Sequence, residues 1–159
     1  MSQTFQFSFE WIAVGRGRLA LTHRPRQRWF PYLSGAGCDR LATLLSEREG
    51  AMEIGRLAQS HGLAWTWIPL DSGRPPQGRQ NDAVRKGLVE LDAALTAGES
   101  VLLHCSAGIH RTGMVAYALL RTCGAGRDAA LELISRMRPA THQGLVPQHL
   151  DWGDWLTDE

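Results

Sequence analysis

Residues 104–113, HCSAGIHRTG, place a cysteine six residues before an arginine, with small residues between them. Successive backbone N–H groups of a tight loop, together with the positive end of a helix that begins near Arg111, form a cradle for a tetrahedral anion such as phosphate. The planar guanidinium of Arg111 can close this cradle with two parallel hydrogen bonds. The same positive field favours the thiolate form of Cys105, which would be a nucleophile beneath a bound phosphate.

The neighbours of this pair make the pattern specific. A cysteine and an arginine at this spacing also occur by chance, and an inert cysteine in a strand-to-helix turn is the plain alternative. Here a strand-like run and His104 come first, and Thr112, Gly113 and an amphipathic helix follow. Small side chains let the backbone approach the anion. The predicted phosphate-binding residues are Ser106, Ala107, Gly108, Ile109, His110 and Arg111.

The flanking segments predict the elements that hold this loop. Strand-like runs at 11–14, 18–21, 41–45, 65–70 and 101–104 are bounded by turn residues, and helical patterns cover 54–60, 81–97, 111–121 and 128–138. Strands that alternate with helices predict an α/β fold, with a mostly parallel central sheet and helices on both faces. The ligand then lies beyond the carboxyl ends of the strands, where 101–104 is the central strand.

Composition sets the broad class. With 159 residues the chain fits one domain, 1–159, in which 1–30 holds N-terminal strands and a basic segment. Hydrophobic residues at 43% and charged residues at 21% are ordinary for a globular protein. The sequence shows neither an apolar run that could span a bilayer nor, over residues 1–10, the pattern of a secretory leader, so we expect a cytoplasmic protein without a membrane partner.

The cysteines and the basic residues restrict the kinds of site that the chain could carry. Cys38, Cys105 and Cys123 are widely spaced and contain no C-x-x-C pair, so neither a disulfide framework nor a zinc site is expected. Residues 16–28 hold five arginines and no acid. This basic segment is either a solvated face or a surface that steers an anionic substrate or partner.

The loop and its surroundings also resemble a known family. HCSAGIHRTG resembles the signature H-C-x-x-G-x-x-R-T/S of the cysteine-dependent protein tyrosine phosphatase superfamily, and the resemblance extends over roughly residues 33–151. The small size resembles the dual-specificity branch. AGCDRLATLLSEREGA before WTWIPLDSGRPP is similar to the cyclin-dependent-kinase-associated phosphatases. This resemblance implies a phosphatase fold, hydrolysis through a phosphocysteine, an aspartate on a separate loop as general acid, and no metal or other cofactor.

Two aspartates compete for the role of general acid. Asp71 follows the strand-like WTWIPL, opens a loop rich in glycine and proline, and lies 34 residues before Cys105, close to where the family places its acid. Asp82 begins a predicted helix, where an acidic residue is explained as a cap or as a partner of the helix dipole. The sequence therefore favours Asp71.

Further roles come from the resemblance alone. Thr112 matches the family hydroxyl that hydrogen-bonds the thiolate, although it could be an ordinary first-turn residue. His104 matches the histidine that braces the loop, although a satisfied core histidine would look the same. In RPATHQGLVPQHL, Gln148 is a better match than Gln143 for a glutamine that positions water, and either could be a surface amide. The side chain of His110 either faces the rim of the pocket or packs against neighbouring residues.

Three functions remain open on the sequence. The first is a protein tyrosine or dual-specificity phosphatase acting on a phosphorylated protein. The second applies the same chemistry to a non-protein phosphate, such as a nucleic-acid end, a nucleotide or an inositol phosphate, for which the basic segment and Trp11, Trp29 and Phe30 would be suited. The third is a phosphate-binding module without turnover. The presence of Cys105, Arg111 and Asp71 together argues against the third.

Overall fold

A computed structural model describes residues 8–158 of the chain. Residues 1–7, which carry most of the segment read for a leader, lie outside the described residues. The described part contains a five-stranded sheet. Its strands are β1 (Ile12–Val14), β2 (Gly17–Thr22), β3 (Arg40–Thr43), β4 (Ala64–Trp67) and β5 (Ser100–His104).

The sheet is mostly parallel, as predicted. Its spatial order is β1-β2-β5-β3-β4, so β5 is the central strand. Strand β1 pairs antiparallel with β2, while β2, β5, β3 and β4 pair in parallel. In the register, His104 at the end of β5 lies between Thr22 and Thr43. The carboxyl ends of three neighbouring strands therefore meet at one edge of the sheet.

Seven helices cover the sheet. They are α1 (Phe30–Leu33), α2 (Ala51–Ser60), α3 (Gln80–Thr96), α4 (His110–Thr122), α5 (Arg127–Met137), α6 (Pro139–Gln143) and α7 (Pro147–Thr157). The four predicted helices correspond to α2, α3, α4 and α5, with ends that differ by at most three residues. The strand-like run 65–70 was too long, since β4 ends at Trp67. Ile68 and Leu70 still donate their N–H groups to Thr43 and Leu44.

The sequence did not predict α1, α6 or α7, and each begins at or beside a proline. Gly153 also interrupts the pattern of α7. A Cβ atom at Gly153 would lie 2.6 Å from the Tyr117 ring, so the glycine allows α7 to pack closely on α4. Trp152 of the same helix donates its indole N–H to the Asn81 side chain of α3 at 2.8 Å. Tertiary contacts thus compensate for a weak local signal.

Two hydrophobic clusters lie on the two faces of the sheet. Alternate residues of β5 divide between them: Val101 and Leu103 pack with α3, α4, α5 and α7, while Leu102 packs with α1 and α2. All five residues of β5 are buried, as expected for a central strand covered on both faces. This double cover fixes the position at which β5 ends.

The cysteines are free thiols. Burial raises the pKa of both Cys38 and Cys123 to about 12, so these two remain protonated at neutral pH. Within residues 8–158, no helix has both the length and the apolar character needed to cross a membrane. In the same range, no three His, Cys, Asp or Glu side chains are grouped to hold a metal ion.

Candidate active site

The candidate site is the loop that joins β5 to α4 at the carboxyl edge of the sheet. It spans residues 105–109, with His104 ending the strand and His110 beginning the helix. Gly108 has a φ of +73°, and an added Cβ would come within 2.4 Å of the Thr22 carbonyl oxygen. Only glycine fits such a conformation against neighbouring backbone. The central glycine is therefore required by the tight turn.

Cys105 lies at the base of this loop. Its side chain is buried, with 3% of the residue exposed. The sulfur accepts a hydrogen bond from the Gly108 N–H at 3.2 Å and another from the Thr112 hydroxyl at 3.0 Å. Two donors therefore converge on one sulfur. The structure thus brings Cys105 and Thr112 together in the way the resemblance implies.

The outward carbonyl groups of the loop are held by side chains and backbone around it. Arg138 donates to the carbonyl oxygens of Ala107 and Gly108 at 3.3 and 2.8 Å, and the Thr141 hydroxyl donates to Gly108 at 2.5 Å. In a trans peptide the C=O and the following N–H point in opposite directions. Holding these carbonyls outward therefore turns the N–H groups of Gly108 and Ile109 inward, where an anion would bind.

Arg111 divides its five N–H donors between two edges. Nη1 donates to Glu49 Oε1 at 2.7 Å and to the Leu70 carbonyl at 2.9 Å, and Nη2 donates to Glu49 Oε2 at 3.0 Å. Three donors are thus engaged on one side of the guanidinium. The Nε–H and the second Nη2–H are left on the opposite edge, which has the spacing of two phosphate oxygens. The pKa of Arg111 is raised, mainly by the hydrogen bond to Glu49 and also by Cys105.

Glu49 was not singled out in the sequence. It ends a 3-10 turn, Glu47–Glu49, whose capping box joins the Ser46 backbone and hydroxyl to the Glu49 carboxylate. The Arg111 guanidinium holds the pKa of Glu49 at about 2, below the usual 4.5. The pattern S-x-x-E was visible and predicts such a turn, but the long-range partner of the glutamate has no local signal.

Asp71 lies beside this ion pair, and Asp82 does not. Asp71 is exposed, and it lines an open cavity of about 720 Å³ together with Glu49 and residues 46–48. Gln80 donates to its carboxylate at 3.3 Å. Asp82 lies in the first turn of α3 with 77% of its side chain exposed, 3.8 Å from Arg85. Asp71 thus lies closer than Asp82 to the other predicted site residues, and its role as general acid remains a prediction.

A directed chain of hydrogen bonds supports the loop from behind. His104 is fully buried, and its Nδ1 lies 2.9 Å from the Cys105 carbonyl oxygen. A carbonyl only accepts, so Nδ1 carries the proton and Nε2 accepts from the Thr43 hydroxyl at 2.8 Å. Trp65 in turn donates its indole N–H to Thr43 at 2.8 Å. Burial lowers the pKa of His104 to about 4, so the ring is neutral. His104 is both a satisfied core histidine and a brace for the loop.

Comparison with known proteins agrees with this geometry. Residues 74–132 match the model of a family described as "Tyrosine phosphatase family". A kinase associated phosphatase with its catalytic cysteine replaced by serine superposes with a TM-score of 0.75 at 18% identity, over 99% of both chains. The chain has the fold of the cysteine-dependent protein tyrosine phosphatase superfamily. The resemblance noted for residues 104–113 agrees with this partial match, which includes that segment, and with the shared fold.

Two further solved structures are similar over most of the chain. Tk-PTP in its active form gives a TM-score of 0.74 at 19% identity, over 93% of this chain and 95% of that one. The core catalytic domain of the PP-IP phosphatase SIW14 from S. cerevisiae gives 0.70 at 14% identity, over 98% of this chain and 90% of that one. A search of curated proteins finds no match.

The remaining predicted site residues are His110, Gln148 and Gln143. His110 is exposed, and its Nδ1 donates to the Gly144 carbonyl at 3.0 Å. His110 and Gln148 both line a second cavity of about 330 Å³ beside the Asp71 loop. Gln143 is exposed in α6 and does not line that cavity. Gln148 thus remains the better candidate for positioning water, and this role remains a prediction.

The basic segment contributes less to the site than its charge suggested. Of its arginines, Arg24 contacts the loop: its N–H donates to the Ser106 carbonyl at 2.8 Å, and its Nη1 donates to the Glu49 carbonyl at 2.5 Å. The expectation that Trp29 and Phe30 could stack on bases is wrong, because they are only 7% and 1% exposed and pack in the core. Aromatic residues near arginines do not by themselves indicate a nucleic-acid surface.

Proposed function

We propose that the chain is a phosphomonoester hydrolase that uses Cys105 as its nucleophile. One observation carries this proposal: the Cys105 sulfur receives two hydrogen bonds at the base of a loop towards which inward N–H groups and the free edge of Arg111 converge. A phosphate dianion bound in the loop 105–109 would have its phosphorus next to the Cys105 sulfur. The oxygens would be held by residues 106–111, as the sequence predicts.

In the first step of the proposed mechanism, the thiolate of Cys105 attacks phosphorus and the bond to the leaving oxygen breaks. Asp71 gives its proton to that oxygen, so an alcohol or a phenol departs and a phosphocysteine remains. The position of Asp71 on the wall of the open cavity supports this role. Arg111 and the loop N–H groups stabilise the charge on the three equatorial oxygens.

In the second step a water molecule attacks phosphorus and the S–P bond breaks. The Asp71 carboxylate takes the proton from water, and inorganic phosphate is released. Thr112 stabilises the departing thiolate through the hydrogen bond already present. We assign the positioning of this water to Gln148, since its side chain lies beside the acid loop. No step requires a metal ion.

We propose a protein tyrosine or dual-specificity phosphatase as the substrate class. The cavity of about 720 Å³ that Asp71, Glu49 and residues 46–48 line is open, and its walls come from loop residues beside the Arg111 ion pair, so a phosphorylated side chain could enter while still attached to a protein. The similarity to a kinase associated phosphatase over the whole chain supports this choice.

A non-protein phosphate is the second candidate. It is supported by the similarity to a PP-IP phosphatase and by exposed arginines around the loop and the cavity: Arg24, Arg48 and Arg74.

One assay tests the chemistry and the substrate class together. The wild type and Cys105→Ser would be compared in EDTA on a phosphotyrosine peptide, a phosphoserine peptide, a 5′-phosphorylated oligonucleotide and an inositol phosphate. We expect turnover by the wild type, fastest on the phosphotyrosine peptide. Serine remains protonated and cannot attack, so the variant should lose turnover and still bind a phosphate mimic.

Three outcomes would contradict parts of this proposal. More than a few per cent of wild-type kcat in Cys105→Ser would exclude the cysteine mechanism. Faster turnover of the inositol phosphate or the oligonucleotide would move the substrate to the second class. Binding without turnover by the wild type would identify a phosphate-binding module.

A further inference from the structure

The acid loop, defined as residues 71–79, contacts two histidines at Gly73. A Cβ atom placed on Gly73 would lie 2.5 Å from the Cβ of His110, so a side chain could not fit there without a shift. On the other side, Nε2 of His149 lies 2.8 Å from the Gly73 carbonyl oxygen. The two imidazole rings are 5.9 Å apart. Gly73 is therefore held between His110 at the start of α4 and His149 of α7.

The hydrogen bonds of His149 fix its tautomer. The Val146 N–H donates to Nδ1 at 3.2 Å, so Nδ1 is unprotonated. Nε2 then carries the proton and donates it to the Gly73 carbonyl. Only 3% of His149 is exposed. The pKa of His149 is lowered, mainly by burial and further by His110, which keeps the ring in this neutral form.

The contact at Gly73 constrains Asp71 from one side, and a second contact constrains it from the other. The Leu70 carbonyl accepts from Arg111 at 2.9 Å. Asp71 and Ser72 thus lie between two anchored carbonyl groups. Arg111 holds the carbonyl of Leu70, and His149 of α7 holds the carbonyl of Gly73. Between these carbonyls few backbone dihedrals remain free to move the carboxylate.

The two halves of the acid loop are held differently. In the second half, the buried Asn81 side chain of α3 donates to the Pro76 and Gly78 carbonyls at 3.3 and 3.2 Å. In the first half, the Ser72 hydroxyl accepts from the Arg74 N–H at 3.2 Å, a bond within the loop itself, and Gln80 contacts the Asp71 carboxylate at 3.3 Å, where both side chains are exposed. The bond from buried His149 therefore holds the first half of the loop, next to Asp71, to the rest of the fold.

We propose that His149 is a positioning residue that latches the acid loop to helix α7 and so keeps Asp71 in place to protonate the leaving group. This inference rests on the proposed role of Asp71 as general acid. His149 itself does not touch the reacting atoms. Its effect is confined to the step that needs the acid.

Two substitutions separate the two hydrogen bonds of His149. In His149→Asn the side-chain oxygen stands near the position of Nδ1 and can still accept from Val146, but it cannot reach Gly73. In His149→Gln the longer side chain brings an amide N–H near the position of Nε2, so the bond to Gly73 survives while the bond to Val146 is lost. Comparing the two variants distinguishes the hydrogen bond to Gly73 from a general contribution of His149 to the stability of α7.

We expect His149→Asn to lower kcat about tenfold on an alkyl phosphate, as for loss of one hydrogen bond, with little change in KM. On an activated aryl phosphate, whose leaving group needs little protonation, kcat should change less than about twofold. His149→Gln should restore most of kcat on the alkyl phosphate. Amide hydrogen exchange over residues 72–79 should accelerate by about tenfold in His149→Asn and much less in His149→Gln.

Equal losses on both phosphates in both histidine variants would overturn the proposal and assign His149 to folding alone. Unchanged hydrogen exchange of the acid loop in His149→Asn would overturn it as well. Asp71→Asn, measured in parallel, tests the proposed function. If Asp71→Asn shows the leaving-group dependence and His149→Asn does not, the positioning role of His149 is wrong, while the assignment of Asp71 as general acid holds. If Asp71→Asn lacks it, the acid assignment fails, and with it the catalytic role given to His149.

Discussion

At the scale of single residues, Arg111 shows how one side chain can be both anchored and available. Its bonds to Glu49 and Leu70 use one edge of the guanidinium, and the other edge remains for an anion. A lysine at this position is a point charge with three donors on a flexible stem. It could not hold the carboxylate, the carbonyl and two phosphate oxygens at once.

We therefore expect Arg111→Lys to lower kcat/KM by about two decades or more, the effect of losing a donor to transition-state charge. Steady-state kinetics on an aryl phosphate would measure it. Circular dichroism and the midpoint of urea unfolding would show whether the variant is folded. A kcat/KM close to the wild type would mean that this arginine is structural.

Asp71 and Asp82 differ in what surrounds them, and the difference can be measured. We expect Asp71→Asn to lower kcat strongly on an alkyl phosphate and much less on an activated aryl phosphate, because only the first leaving group needs a proton. Asp82→Asn is the matched control. It should leave the ratio of the two rates unchanged and destabilise α3 by about 1 kcal/mol or less, through a weaker interaction with the helix dipole. The opposite result would move the general acid to Asp82.

At the scale of elements, strands β4, β3 and β5 are linked behind the loop by the bonds from Trp65 to Thr43 and from Thr43 to His104. Thr43 is fully buried. Its hydroxyl accepts from Trp65 and donates to His104, and the imidazole of His104 relays the chain onward. The chain ends at the carbonyl of Cys105, so the edge of the sheet sets the position of the loop.

Replacing Thr43 by valine keeps its shape and removes the hydroxyl. The indole N–H of Trp65 and Nε2 of His104 then lose their partner, and we expect a loss of about 1–3 kcal/mol in the free energy of unfolding. Urea unfolding monitored by tryptophan fluorescence would measure it. Thr43→Ser keeps the hydroxyl and loses a methyl group. A larger loss in Thr43→Ser than in Thr43→Val would show that packing matters more than the hydrogen bonds.

The sequence predicted those elements whose signal is local. Periodic apolar residues indicated α3 and α4, and apolar runs between turn residues indicated the five strands. The phosphate loop was predicted because its chemistry lies within ten consecutive residues. Glu49, Arg138 and His149 were missed, because each acts through a partner 30 or more residues away along the chain. Nothing in the local pattern distinguishes such a residue from a solvated one.

At the scale of the whole molecule, the site is assembled from segments between Thr22 and His149. Strand β5 supplies the end from which the loop departs, and α4 begins where the loop closes. The turn at Glu47–Glu49 and helices α6 and α7 then enclose it from the sides. The stability of the fold and the geometry of the site depend on the same buried groups.

The burial of His104 predicts how the free energy of unfolding changes with pH. Burial lowers the pKa of the folded His104 imidazole to about 4, whereas the pKa is 6.5 in the unfolded chain. As the pH falls, the unfolded chain therefore binds this proton before the folded chain does. The contribution of His104 to stability is complete above pH 6.5 and is lost as the pH falls to about 4. We expect the free energy of unfolding to decrease over this range, and less steeply in His104→Asn. Urea unfolding at intervals between pH 7 and 4 would test this, and equal slopes in the two proteins would contradict it.

The anchoring of Arg111 also bears on how the reaction ends. Inorganic phosphate, the proposed product, carries much the same charge as the group that enters, and a lone guanidinium would attract both strongly. Glu49 places an opposite charge 2.7 Å from Arg111, so a departing anion would be held chiefly by directional N–H donors, with a weaker long-range attraction. We therefore expect the ion pair to favour turnover over affinity, with a cradle that recognises the shape of a phosphoryl group and only weak inhibition by inorganic phosphate.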